Sequence, residues 1–214
     1  MSRSLTIVDT GTSNLASLLA AFRRLDCDCI ASAEAKEIKA APLLLLPGVG
    51  SFAAGMARLR ECELIEPLQG RLRAGRPTLG ICLGMQLLCA GSEESPGVAG
   101  LGALPARISR FPKEQITPHM GWNQVTPDPP AAESGLLTAG SAYFANSFRL
   151  TAAPAGWACA HTDYGDRFVS AIWRGAVLGC QFHPELSGRW GADLLARWLD
   201  RALESEVMRG ATAC

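Results

Sequence analysis

The sequence predicts an α/β fold: an open, mostly parallel central sheet flanked by helices, with an antiparallel extension. Three observations predict it. Short apolar runs alternate with helix-period segments through the first half of the chain, as buried parallel strands joined by helical crossovers do. The second half changes to short strand candidates separated by Gly, Pro and Asp turns. The 214 residues fit one large domain spanning 1–214, long enough to bury a substantial core without cross-links.

Each element follows from local pattern. Leu5-Thr6-Ile7-Val8 is a short apolar run ending at Asp9 and a Gly-containing turn. Leu15, Leu18, Leu19 and Phe22 then recur at helical spacing, with Ser13 or Asn14 placed to cap. The four leucines at 43–46 form a second buried strand, closed by Pro47-Gly48-Val49-Gly50. A helix over 52–59 follows, then a third strand over 78–81 and the start of a helix over 85–89, which puts Cys89 inside that helix. Later strands are expected at 143–145, 157–161, 168–173 and 177–182. A last amphipathic helix carries Leu194, Leu195, Trp198 and Leu199 onto the sheet. The Pro-rich piece 126–130 reads as a loop, and no internal repeat or low-complexity segment is present.

Composition narrows the function classes. Twenty basic residues balance twenty acidic ones, with no basic stripe for nucleic acid and no acidic tail. The longest aliphatic run, 43–46, is far below a membrane span. The start of the chain reaches Asp9 too soon for a secretory leader. Eight irregularly spaced cysteines in such a chain predict reduced thiols and a cytoplasmic location. Cys27-Asp28-Cys29 has no paired partner at zinc-ligand spacing, so no metal is expected.

The chemistry concentrates at Gly80-Ile81-Cys82-Leu83-Gly84. Between a strand and a helix, this is the nucleophile-elbow pattern with Cys in place of Ser. The glycines permit a sharp turn that lifts the side chain above the carboxyl edge of the sheet, and the following helix aims its positive end at the sulfur. Cys89 lacks these features and reads as core. A nucleophilic Cys needs a base, and the chain holds three histidines. His183 lies in Gln181-Phe182-His183-Pro184-Glu185; residues two apart in extended backbone share a side, so Glu185 can orient one ring nitrogen while the other faces the thiol. Two glycines in Pro47-Gly48-Val49-Gly50 allow backbone N–H groups near an oxyanion, and the N–H of Leu83 is the natural second donor. Taken alone, a Gly-packed cysteine or a histidine capping a strand is the blander reading; together the groups point to nucleophilic catalysis.

"LLLLPGVGSF", "GICLGMQLL" and "QFHPELSG", in that order, resemble the class I (triad) glutamine amidotransferases. "VDTGTSNLAS", "SEES" and above all "PHMGWN" narrow the resemblance to the glutaminase subunits of imidazole glycerol phosphate synthase, over nearly the whole chain. The resemblance implies that Cys82 attacks the glutamine carboxamide while His183, oriented by Glu185, activates it and protonates the leaving ammonia. It puts Val49, Gly50 and Leu83 at the oxyanion site, with a rotation of the strand near Val49 before that site works. It puts Gln86 and Glu94 near the bound glutamine, with Ser147 and Phe148 at its α-carboxylate. That no cofactor is needed is implied by the resemblance alone. Asn14, His119, Met120, Trp122 and Asn123 would face a (β/α)8-barrel cyclase, which takes up the ammonia to make imidazole glycerol phosphate and aminoimidazole carboxamide ribotide in histidine biosynthesis. Without the resemblance, Trp122 reads as core and His119 as a turn residue. One departure stands out: such relatives commonly carry a histidine where this chain has Asn146, and a tyrosine where it has Phe148.

Three other readings share parts of this pattern. A glutaminase serving another synthase would keep Cys82, His183 and Glu185 but should lack "PHMGWN". A catalytically silent docking subunit would have lost a triad member. A thiol hydrolase of another amide would differ in its preference between glutamine, asparagine and simple amides.

Overall fold

A computed structural model of the chain describes residues 3–9, 11 and 15–212. The first half runs β1 (Ser4–Val8), α1 (Leu15–Arg23), β2 (Asp28–Ser32), α2 (Ala35–Ala40), β3 (Leu43–Leu46), α3 (Phe52–Glu61), α4 (Ile65–Arg73), β4 (Thr78–Ile81) and α5 (Leu83–Leu87). There follow β5 (Cys89–Ser92), β6 (Leu104–Arg110), β7 (His119–Pro127), α6 (Pro129–Ala132), β8 (Gly140–Asn146), β9 (Phe148–Leu150), β10 (Ala158–Tyr164), β11 (Asp166–Arg174) and β12 (Val177–Cys180). A single 3₁₀ turn, Pro184–Leu186, leads into α7 (Gly188–Thr212).

The strands join in the order β2-β1-β3-β4-β12-β11-β10-β7-β8. Pairing is parallel from β2 to β12 and antiparallel beyond it. β5, β6 and β9 branch from β11. The expected parallel sheet with an antiparallel extension is therefore present, and β12 is the joint between the two parts.

The tetraleucine of β3 shows why the parallel part is buried on both faces. Leu43 and Leu45 enter a cluster that holds Phe22, Leu195 and Trp198. Leu44 and Leu46 enter the opposite cluster, with Phe52, Met56 and Leu68. Successive side chains alternate across the sheet, so a strand covered on both faces needs four apolar residues in a row. The C-terminal ends of β3, β4 and β12 consequently meet at one edge, which carries Val49, Cys82 and His183.

Two local expectations are corrected. Cys89 does not lie in a helix: α5 ends at Leu87, and Cys89 opens β5, paired with Leu104 of β6. A short apolar run cannot be assigned by periodicity alone, and the pairing decides it. The piece 126–130 is not a free loop, since Thr126 and Pro127 end β7 and Pro129 opens α6, where its fixed φ suits a first helical turn. The expected caps Ser13 and Asn14 lie outside the described residues. Among the described residues no helix is long and apolar enough to cross a membrane.

Candidate active site

Cys82 sits at the sharp turn between β4 and α5 with φ +52° and ψ −110°, a left-handed conformation that costs a non-glycine residue free energy. The turn is held because Cys82 N–H donates to Cys180 O at 2.7 Å and Gln86 N–H to Cys82 O at 3.2 Å. The flanking glycines are required by space. A Cβ on Gly84 would lie 1.8 Å from Leu46 O, and one on Gly80 would lie 3.0 Å from the backbone of Gly84. Close packing of β4, α5 and the end of β3 thus forces the cysteine upward. α5 has only five residues, so the geometry of the turn rather than a long helix dipole sets the sulfur's position.

His183 follows β12 in extended backbone, at φ −102° and ψ 92°. Its N–H donates to Tyr143 O at 2.9 Å, and its carbonyl accepts from Ser187 Oγ at 2.6 Å. Ser187 Oγ in turn accepts from Tyr143 N–H at 2.9 Å. Glu185 lies in the 3₁₀ turn rather than in extended chain, yet its Oε1 still reaches His183 Nδ1 at 2.9 Å. Burial pushes the His183 pKa down, but hydrogen bonds to the Cys82 sulfur and to Glu185, with the charges of both, outweigh it and raise the group to about 10. The site thus favours the protonated ring, with Nδ1–H on Glu185.

Nine of the expected site residues line one cavity of about 240 Å³: Val49, Gly50, Cys82, Leu83, Gln86, Glu94, Ser147, Phe148 and His183, joined by Ala145 and Asn146, while Glu185 lines the adjoining recess. That is smaller than the roughly 300–1,000 Å³ of drug-sized ligand sites and suits a small polar molecule. Gln86 Nε2 donates to Phe148 O at 3.3 Å and to Gln181 Oε1 at 2.9 Å. Glu94 Oε2 accepts from Phe52 N–H at 2.6 Å, while Ser95 Oγ and Ser51 Oγ accept from Ala53 N–H and Ala54 N–H. Glu94 thus caps α3 while facing the cavity, a favourable place for a carboxylate.

The residues expected at a partner surface divide. Met120 and Trp122 on β7 are 64% and 59% exposed. Asn123 is half-buried and donates to Asp163 O at 3.0 Å. Asn14 lies outside the described residues. His119 does not face outward: it is 3% exposed, stacked on Phe144 and Tyr164, because alternation along β7 sends it to the inner face. Burial lowers its pKa to about 4, so the ring is neutral.

A second polar group lies at the far end of β7. Asp128 accepts from Cys159 Sγ at 3.2 Å and from Arg167 Nη2 at 3.0 Å, and pairs with His161 Nδ1 at 3.0 Å. These donor atoms are close enough together to hold a metal ion, but the Arg167 guanidinium already occupies the cation position at the carboxylate.

Residues 6–202 match the family described as Glutamine amidotransferase class-I. An imidazole glycerol phosphate synthase subunit HisH from Symbiobacterium thermophilum is 43% identical over 194 residues, covering 90% of this chain and 91% of that protein. The subunit of the same name from Methanothermobacter thermautotrophicus is 40% identical, over 91% of this chain and 96% of its own length. The chain belongs to the class-I glutamine amidotransferases, among the HisH subunits. A crystal structure of a glutamine amidotransferase superposes with TM-score 0.74 at 19% identity, over 92% of this chain and 98% of that one. A glutamine amidotransferase from Thermotoga maritima superposes with TM-score 0.61 at 16% identity, over 99% of this chain and 86% of that one. At such identities these two speak for the fold.

Two residues that contact the Cys82 and His183 segments were not singled out by the sequence. Gln181 Nε2 donates to Cys82 Sγ at 3.8 Å and links it to Gln86. Ser187 ties the His183 segment to β8. Both flank the His-Pro-Glu motif, and that adjacency was the only signal for them.

Proposed function

We propose that this chain hydrolyses glutamine to glutamate and ammonia and delivers the ammonia to the cyclase subunit of imidazole glycerol phosphate synthase. The observation that carries the reading is the His183–Glu185 pair at 2.9 Å, with His183 lining the cavity that holds Cys82 and its strained turn. Cys82 Sγ, as thiolate, attacks the carboxamide carbon, and the carbonyl electrons move onto the oxygen. That oxyanion is met by N–H groups at Leu83 and at the Val49–Gly50 segment. Collapse of the intermediate breaks the C–N bond as the imidazolium gives its proton to the leaving nitrogen, leaving a thioester and ammonia. Neutral His183 then takes a proton from water, whose oxygen attacks the thioester. The thiolate departs, glutamate is released and the imidazolium is restored. Gln86, Glu94, Ser147 and Phe148 orient the substrate.

Ammonia leaves through a second, more apolar recess. It shares Val49, Ala145 and His183 with the glutamine cavity and adds Leu18, Tyr143 and Leu186. Tyr143 stacks edge-on with Trp122 at 6.3 Å, so the recess lies beside the exposed Met120 and Trp122 face. A (β/α)8-barrel cyclase seated there would receive ammonia without its passing through bulk water.

The test is glutamate release from glutamine by the purified chain, alone, with the cyclase, and with cyclase plus its nucleotide ligand. Strong activation in the complex supports this reading. A complex that forms but shows no activation points to another synthase or a silent docking subunit.

A further inference from the structure

His119 and Asn146 stand directly opposite each other at the open end of the β7–β8 hairpin. They are 3% and 5% exposed. Both side chains project to the inner face, since Met120 and Trp122 point outward while Ala142 and Phe144 are buried on the same side as Asn146. The His119 ring is held between Phe144 at 4.6 Å and Tyr164 at 3.9 Å. Its Nε2 lies 3.3 Å from Asn123 Nδ2. An amide NH₂ only donates, so Nε2 accepts and the proton of the neutral ring rests on Nδ1. That buried Nδ1–H has no hydrogen-bond partner among the described residues.

Across the hairpin, Asn146 Nδ2 donates to Phe148 O at 3.0 Å, while Asn146 Oδ1 is buried without a partner among the described residues. A donor lacking an acceptor therefore stands opposite an acceptor lacking a donor. Each carries a desolvation penalty that a bond between them would remove. Phe148 O also accepts from Gln86 Nε2, and Asn146, Ser147 and Phe148 all line the glutamine cavity. One missing bond separates the exposed docking face of β7 from the wall of the substrate site.

We propose that His119 is a positioning residue: seating of the cyclase on the Met120 and Trp122 face closes an Nδ1–H···Oδ1 bond from His119 to Asn146, which fixes the Ser147–Phe148 wall against glutamine. The proposal rests on the reading of this cavity as the glutamine site. The bond orients the Asn146 amide plane, and with it the donor on Phe148 O. The wall then holds the substrate without touching the chemical step.

The test uses the intact chain bound to the cyclase. His119→Phe keeps the stacked ring and removes the donor, whereas Asn146→Ala removes the acceptor from the smaller side. Each is expected to raise the glutamine KM about tenfold, the worth of one hydrogen bond, with little change in kcat. The double variant should be no worse than either single one. ¹⁵N spectra of labelled histidine should show the His119 Nδ1–H shifting downfield when the cyclase is added, and not in Asn146→Ala. Multiplying KM effects, unchanged KM in folded and cyclase-bound variants, or an unmoved Nδ1–H signal would overturn the latch. Failure of the wild-type complex to release glutamate would instead overturn the glutaminase reading, while the spectra still test the bond.

Discussion

His183 Nδ1 donates to Glu185 Oε1 at 2.9 Å across the single intervening residue Pro184, and Glu185 Oε2 is buried with no hydrogen-bond partner among the described residues. Glu185→Gln removes that charge. The His183 pKa should fall from about 10, and kcat should drop on the order of 10²–10⁴-fold as the imidazole loses orientation and acid strength is mismatched. The linkage has a definite sign. A pKa raised in the folded state contributes stability that is complete below about 6.5 and lost as pH rises through about 10. Wild type should therefore lose more stability than Glu185→Gln between pH 7 and pH 10. Urea titrations at the two pH values check this, and equal losses would count against the pairing.

Cys82 and Cys89 should separate cleanly. Cys82→Ala is expected to abolish glutamate release while cyclase binding persists. Cys89 is fully buried in β5, and burial pushes its thiol up to about 12, so it is inert. Cys89→Ala should cost about 1–2 kcal/mol by leaving a small void, with kcat/KM little changed. Thermal melting beside steady-state kinetics decides the matter, and equal loss of activity in two folded variants would defeat the division.

Gly84 should tolerate no side chain. The added Cβ would stand 1.8 Å from Leu46 O, so either β3 or the cysteine turn must shift. Gly84→Ala is expected to destabilise by roughly 3 kcal/mol or more, the range of strong overpacking. Any folded fraction should show reduced alkylation of Cys82 by iodoacetamide. A variant of wild-type stability and reactivity would show that the turn is looser than its packing indicates.

His119 should weaken the fold in acid. Its folded pKa of about 4 lies below the usual 6.5, so the unfolded chain binds more protons between those values and stability falls as pH drops through that window. The loss attributable to this ring should be on the order of 2 kcal/mol. His119→Phe should remove that part of the acid dependence, measured by denaturant unfolding at pH 7 and pH 4.5. An unchanged acid slope would mean that the ring protonates without cost.

The legible parts of this protein were those written in consecutive residues. Four leucines in a row announced β3, and Gly-x-Cys-x-Gly announced a tight turn at Cys82, although the contact that requires Gly84 there, with Leu46 O, comes from a distant strand. β7 was missed as a strand because its residues alternate exposed and buried without forming an apolar run; it exists through pairing with β8 and β10. β2 was missed for a similar reason, with Ile30 56% exposed on an edge strand. α4 was obscured by Pro67 and Gly70, which depress helix propensity until packing overrides it. Cys89 could not be assigned from pattern because the short apolar run Leu87-Leu88-Cys89-Ala90 fits a helix or a strand equally well.

By itself, the sequence determined the parallel-then-antiparallel order of elements, the preference for Cys82 over Cys89 as candidate nucleophile, and the His183 and Glu185 pairing, all set by spacing within a few residues. Only the tertiary structure decided that Gln181 touches a sulfur 99 positions away in the chain, that His119 turns inward onto Phe144 and Tyr164, and that Glu94 caps α3 at the rim of the cavity that holds Cys82. Local pattern specifies backbone conformation. Contacts between distant segments depend on strand register and on which faces are buried, and those arise only when the sheet closes.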